Sequence, residues 1–244
     1  MAVIMMLTGV TTFTALIWGC MPAGYGRYAV GGSKLALSPK VAWLTQEMWS
    51  FIVPVGLIGL HMIRGGQQLA HLQILLAGMF LVHYAWRSFA YPLLSRGGNP
   101  TPVLIWLLAV AFCMYNGLLQ GCDILAREDE RVGMRHMVGS VLWAIGWGIN
   151  LHSDHILRNL RKPGESGYKI PRGGCFEYVS GANYLGEMLE WCGYAVAAGS
   201  LPAAAFACFT ICNIGPRGWQ HHQWYKERFP RYPKHRKAVI PFLL

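Results

Sequence analysis

Charge is scarce in this 244-residue chain, at 13%, and negative charge is scarcest, with 11 Asp and Glu against 21 Lys and Arg. Beside 54% hydrophobic residues and a mean hydropathy of +0.31, that scarcity lies outside the soluble average and reads as a multi-pass membrane protein. A net charge of +10 would suggest nucleic acid in a soluble protein. Here the cations gather in the gaps between apolar runs, as topology requires, so no nucleic-acid partner is expected. Cysteine pairs at metal spacing are missing too. The seven cysteines are odd in number, include no Cys-x-x-Cys, and lie mostly in apolar stretches, so they read as small core residues rather than a disulfide frame or zinc site. No Gly-x-Gly-x-x-Gly follows a strand and no Gly-x-x-x-x-Gly-Lys occurs, which excludes the common glycine-rich phosphate cradles. Repeats, low-complexity tracts and an attached soluble domain are also missing, so residues 1–244 read as one unit. The first apolar run, Met1 to Cys20, has no basic n-region and reads as a retained span.

What is present is apolar length. A span needs roughly 20 apolar residues, and seven candidates follow: about Ala2–Met21, Val41–Ile63, Leu69–Leu94, Thr101–Leu125, Met137–Leu157, Tyr178–Ala198 and a short Leu201–Ile214. The last two form a hairpin turning at Gly199-Ser200-Leu201-Pro202. Of the Lys and Arg residues, only Arg64, Arg127, Arg131 and Arg135 fall opposite the side of the first loop. By the positive-inside tendency the N-terminus is then outside or lumenal and the C-terminus cytosolic, which an odd number of spans satisfies. The expected fold class is an all-α integral membrane protein with seven transmembrane helices. The tail from Arg217 to Arg231 is polar, aromatic and basic, and its pattern fits a helix near the membrane surface held by anionic lipid.

Polar residues within these spans are costly in lipid and mark buried polar sites. They concentrate between Gly146 and Glu187: Asn150, His152 and Asp154 end one span, Asn183, Glu187 and Glu190 open the next, and Arg158, Arg161, Lys162, Lys169 and Arg172 fill the loop between. A basic loop between glycines and prolines suits a polyphosphate, and equally serves as a topology signal. In the second span, a carboxyl group at Glu47 is least costly in its neutral form and could then donate a hydrogen bond; a span-end carboxylate paired with Lys40 or Arg87 is the alternative. In the third span, Tyr84 and Arg87 stand three apart, on one helical face, where Tyr84 could polarise a carbonyl and Arg87 meet phosphate. An interfacial aromatic belt with a snorkelling arginine fits the same residues. His152-Ser-Asp-His155 invites a metal reading, but His221-His222 is the only other histidine cluster, too few for a membrane di-iron site, and no metal is expected.

Longer runs carry a resemblance. The segments WLTQEMWSFIVPVG, HYAWRSF, GINLHSDHILR, RKPGESGYKIPRGGCFEYVSGANYLGEMLEW and HHQWYKERFPRYPKHRKAVIPFLL closely resemble the steroid 5α-reductase family, from Gly24 onward. The resemblance implies a seven-helix membrane enzyme that uses NADPH to reduce the 4,5 double bond of a 3-oxo-4-ene steroid. It implies that Glu47 and Tyr84 hydrogen-bond the steroid 3-keto oxygen. It further implies cofactor contacts at Tyr25, Arg87, Arg96, Asn150, Asp154, Arg161, Tyr168, Asn183, Glu187, Arg217, His221, Tyr225 and Arg236, within a cofactor-binding part from about residue 95 to 244 that follows the spans of 1–94. The chain departs from the family at Ser95-Arg96-Gly97-Gly98, where Asn-Arg-Gly-Arg is usual, and near Leu107, where an arginine is common.

The implied chemistry agrees with the residues. Hydride addition to C5 pushes charge onto the 3-oxygen, so donors that bind an enolate better than a ketone lower the barrier. The expected partners are a steroid and membrane lipid, in an endoplasmic-reticulum or bacterial inner membrane, with the chain a monomer. Other readings are a different double-bond reductase for sterols, polyprenols or enoyl lipids, an isoprenylcysteine-methyltransferase-like enzyme, or a non-catalytic sterol-binding protein. Cofactor consumption separates them.

Overall fold

The structure, a computed structural model, describes residues 1–17, 35–95, 97–127, 131–161, 165 and 167–243. Tyr25, Arg96, Lys162 and the expected end of the first span at Met21 lie outside the described residues.

The chain is mostly helical: α1 (Ala2–Ile17), α2 (Pro39–Ile63), α3 (His71–Ala85), a π-helical turn (Trp86–Ala90), α4 (Tyr91–Leu94), α5 (Val103–Leu125), α6 (Met134–Asn159), a 3-10 turn (Gly174–Glu177), α7 (Ala182–Ala198) and α8 (Leu201–Arg228). A two-residue antiparallel pair, β1 (Ala36–Leu37) with β2 (Thr101–Pro102), closes one end. Among the described residues α2 and α5 are long and apolar enough to cross a membrane, and α1 is a shorter apolar helix. Large apolar side chains such as Ile4, Leu7, Leu60, Leu104, Leu108, Val141 and Ile145 stand exposed on the outer faces, as lipid contact requires and water does not favour.

The most extensive packing joins α6 to α7, and small residues explain it. A Cβ on Gly146 would lie 2.7 Å from the Glu190 Cα and from the Gly186 carbonyl oxygen, so the two backbones touch. Gly139 and Gly146, seven apart, face Ala197 and Glu190, while Gly186 and Gly193 face Asn150 and Trp143. With little hydrophobic drive between helices in lipid, such close backbone approach is what holds a pair. The second extensive contact sets α5 on α2, where Gly117 and Gly121 admit the kinked surface around Pro54.

The expected hairpin is present. Gly199, at φ 59°, ends α7 in the left-handed region that favours glycine, and the Ser200 side chain accepts from the Ala203 N–H to cap α8. Two boundaries differ from the sequence expectation. The span at Leu69–Leu94 is broken by the π-helical turn, and α8 does not stop at Ile214 but continues through Pro216 to Arg228, so the basic aromatic tail is one helix with the seventh span. Pro216 costs α8 a single backbone donor, and Gln220 ties the continued helix to the end of α1 through the Leu16 carbonyl at 3.1 Å. The chain then returns: Ser180 N–H donates to the Lys237 carbonyl and Gly181 N–H to Ala238, both at 2.9 Å, docking the C-terminal segment on the entry to α7.

Candidate active site

Seven of the expected site residues converge at the ends of α6 and α7 and the facing turns of α2 and α3. Arg87, carried inward by the π-helical turn, donates from Nη1 to the Asp154 carboxylate at 3.3 Å, with both side chains buried. Its guanidinium lies 4.8 Å from the Trp43 ring centroid and 4.6 Å from that of Tyr91, a cation held between aromatic faces. Asn183 stands beside Asp154 and accepts from Asn150 Nδ2 at its backbone oxygen, at 3.0 Å. Glu47 lies within electrostatic reach of Arg87, Glu187 and His83. Its side chain is half-buried.

Tyr84 is buried within electrostatic reach of Glu47, and its hydroxyl accepts from Asn116 Nδ2 at 3.2 Å. The three-residue spacing of Tyr84 and Arg87 does not give them the same hydrogen-bond partner. Tyr84 meets α5 while Arg87 meets α6, because the π-helical turn begins between them at Trp86. Both still border Glu47.

The remaining expected residues form a second group toward the loop and the tail. Tyr168 packs edge-on against Trp224 at 4.9 Å, His221 tilts over Tyr184 at 5.5 Å, and buried Tyr225 stacks on Tyr232 at 5.4 Å. Arg217 begins the part of α8 that follows Pro216. Arg161 is exposed at the end of α6. Arg236 is fully buried and engaged by the protein itself: Nη1 donates to the Pro171 carbonyl at 2.8 Å and Nη2 to Glu177 at 3.4 Å. The Gly173 N–H donates to Glu177 at 2.6 Å and, with Arg236, holds that carboxyl below its usual range. Arg236 thereby locks the 171–177 loop against the tail.

Sequence reasoning passed over four side chains that complete the interior. His83 pairs with Glu190 at 2.6 Å in full burial, and the second Glu190 oxygen has no partner among the described residues. Asn116 and Gln120, one turn apart on α5, and Ser50 on α2 surround Tyr84. The signal was available: Asn116 and Gln120 are uncharged polar residues inside a strongly apolar span, where the cost of a polar group applies as it does to a charge. His152 and His155 are exposed. A shallow cleft lined by Cys192, Ala195, Cys208 and Cys212 between α7 and α8 is wholly apolar and shares no residue with the polar cluster.

Known proteins agree with what this interior suggests. The sequence model for 3-oxo-5-alpha-steroid 4-dehydrogenase matches residues 99–244. A 3-oxo-5-alpha-steroid 4-dehydrogenase 1 from Bos taurus is 50% identical over 228 residues, covering 90% of this chain and 87% of that protein. The Homo sapiens 3-oxo-5-alpha-steroid 4-dehydrogenase 1 is 47% identical over 90% of this chain and 85% of its own length. The Homo sapiens 3-oxo-5-alpha-steroid 4-dehydrogenase 2 is 44% identical over 97% of this chain and 96% of its own length. With likeness of this degree running through nearly all of both partners, the chain belongs to the 3-oxo-5-alpha-steroid 4-dehydrogenase family, a family of oxidoreductases.

Proposed function

We propose that this chain reduces the 4,5 double bond of 3-oxo-4-ene steroids of the testosterone and progesterone type, with NADPH, to 5α-dihydrosteroids. The observation that carries the reading is the meeting of Glu47 from α2 and Tyr84 from α3, two potential hydrogen-bond donors of different helices, within electrostatic reach of each other beside buried Arg87 and Asp154, where the steroid recess would lie. The residues present fit a nicotinamide nucleotide. Asn150 Oδ1 is buried with no partner among the described residues, an acceptor that a carboxamide N–H would satisfy. Arg87, Asn150, Asp154, Asn183 and Glu187 would hold its inner end. Tyr168, Arg217, His221 and Tyr225 would hold its outer end, with Arg161, Arg236 and the undescribed Tyr25 and Arg96 toward the phosphates. When bound, NADPH supplies the hydride for C5.

The protein's part is to stabilise charge. Glu47, as the neutral acid, and Tyr84 donate to the steroid 3-oxygen, and both bonds strengthen as that oxygen gains enolate character. Apolar helices around the recess exclude water, which raises the worth of each donor. The proposed topology has seven spans in a single unit, a monomer with its N-terminus outside and its C-terminus cytosolic, in an endoplasmic-reticulum or bacterial inner membrane. Seven helices at the positions expected from hydropathy, and exposed apolar faces along them, support it.

The test is NADPH consumption by detergent-purified protein with testosterone or progesterone, NADH in parallel, and identification of the product. A 5α-dihydro product with NADPH preference is expected. Glu47→Gln and Tyr84→Phe should each cut turnover by about 10²–10⁴-fold while the protein stays folded. Wild-type turnover in both variants would refute the assignment, and binding of NADPH without reduction of any 3-oxo-4-ene steroid would move the substrate to another lipid.

A further inference from the structure

Tyr84 is held by a chain of hydrogen bonds whose direction can be read from its ends. Gln120 Nε2 donates to the backbone carbonyl of Pro202 at 3.0 Å. That carbonyl can only accept, so the amide cannot be turned the other way without setting two acceptor oxygens face to face. The same Nε2 donates to Asn116 Oδ1 at 3.4 Å, which in turn directs Asn116 Nδ2 at the Tyr84 hydroxyl, 3.2 Å away. The Tyr84 oxygen is therefore an acceptor on the α5 side, and its hydrogen must point elsewhere.

Among the described residues, the Ser50 side chain is a further polar neighbour of that hydroxyl. Ser50 is committed as well: its Oγ donates to the Cys113 carbonyl at 3.1 Å, so toward Tyr84 it can only accept. Asn116, Gln120 and Ser50 are all fully buried, and no water competes for these bonds. The Pro202 carbonyl thus fixes the polarity on the α5 side, and the Tyr84 hydrogen is turned away from α5, toward Ser50 or a ligand oxygen beside Glu47.

We propose that Asn116 is a positioning residue that makes Tyr84 an obligate donor toward the substrate oxygen, with Gln120, anchored on the α7–α8 hairpin at Pro202, fixing the orientation of Asn116. The inference rests on the reading of Tyr84 as a donor to the 3-oxo group. A donor behind the phenol oxygen polarises the O–H it offers, so the bond to a developing enolate gains more than the bond to a ketone. Losing Asn116 should therefore lower kcat and leave the steroid and NADPH KM values nearly unchanged.

The experiment is a cycle of Asn116→Leu and Tyr84→Phe, with Gln120→Met as a second entry to the same chain. Asn116→Leu is close in shape and should cut kcat about tenfold, the worth of one neutral hydrogen bond. In the Tyr84→Phe background it should cut kcat no further. Gln120→Met, a turn farther from the recess, should give a smaller loss that also vanishes in that background, and it carries the test should Asn116→Leu fail to fold. Activity is supplemented by the carbonyl stretch of a 3-oxo-4-ene steroid bound with NADP⁺: its shift to lower frequency should shrink in Asn116→Leu and be unaffected by Asn116 once Tyr84 is Phe. Equal losses in both backgrounds, or no loss at all, overturn the inference while leaving Tyr84 in place. A Tyr84→Phe enzyme with full turnover overturns the parent reading and this one with it.

Discussion

A single methyl group placed between α6 and α7 measures how much the fold depends on their contact. In Gly146→Ala the new Cβ would stand 2.7 Å from the Glu190 Cα and the Gly186 carbonyl oxygen, and nearer still to the Glu190 nitrogen. None of these is the flexible end of a side chain, so the helices must part by roughly 1 Å to reach ordinary contact. Overpacking of this kind costs about 1–3 kcal/mol, and in a chain of this length about 2–4 °C of unfolding temperature accompanies each kcal/mol. The apparent unfolding temperature in detergent should fall by about 2 to 12 °C. One turn along, the same parting would stretch the Asn150 to Asn183 bond from 3.0 Å to roughly 4 Å, beyond hydrogen-bond range, so turnover should fall more than stability alone explains. Gly148→Ala is the control. Two residues away on the exposed side of α6, its Cβ meets nothing within 4 Å, and exchanging glycine for alanine inside a helix should stabilise by up to about 1 kcal/mol. If the two variants unfold at the same temperature and turn over alike, the α6–α7 contact does not organise this interior.

Three further outcomes follow from the same geometry. Arg87→Met leaves the buried Asp154 carboxylate without its cation and should destabilise by about 3–5 kcal/mol, with much of that restored when Asp154→Asn is added; thermal unfolding of the single and double variants checks it. Arg161→Met, at an exposed position, should raise the KM for NADPH more than for NADH with no change in unfolding temperature, whereas Arg236→Met should lower the unfolding temperature as well, because it frees the Pro171 carbonyl and Glu177. His222, whose ring contacts Ser180 at 2.7 Å, has its pKa lowered by burial, then by Lys226 and Lys237. A depressed folded value means that stability is present above the ordinary 6.5 and is lost as pH falls through the folded value. Amide protection factors at 178–181 and 237–239 should fall as pH drops below about 6.5, and His222→Phe should flatten that change.

The helix positions were legible in the sequence because lipid imposes a length on every apolar run, and the turn at Gly199-Ser200-Leu201-Pro202 was legible because its residues allow little else. Glu47, Arg87, Asp154, Asn183 and Glu187 stood out because charge and amide groups in a span need a partner. Direction was not legible. Helical spacing put Tyr84 and Arg87 on one face, and the π-helical turn at Trp86–Ala90, which no local propensity announces, turned them to different neighbours. The glycines at 139, 146, 186 and 193 were visible as residues, but a seven-residue spacing does not say which helix it will meet. Arg236 looked like the cations around it, and only the return of the tail onto Ser180 and Gly181 decided that its guanidinium would be spent on the Pro171 carbonyl.

Those glycines also account for where the polar groups point. Because the α6 and α7 backbones touch at Gly146 and Gly186, no side chain fits between them, and residues flanking the contact must direct their polar ends along the seam or out to a third helix. Glu190, whose own nitrogen lies against Gly146, sends its carboxylate to His83 on α3. Asn150, whose nitrogen lies against Gly186, reaches one turn along to the Asn183 carbonyl, and its side-chain oxygen has no partner among the described residues. Asp154, one further turn on, meets Arg87 from the π-helical turn. Close packing of one helix pair thus drives a row of polar groups toward α2 and α3, where Glu47 and Tyr84 stand. The interior is polar on the α2 and α3 side because the α6–α7 seam has no room to be.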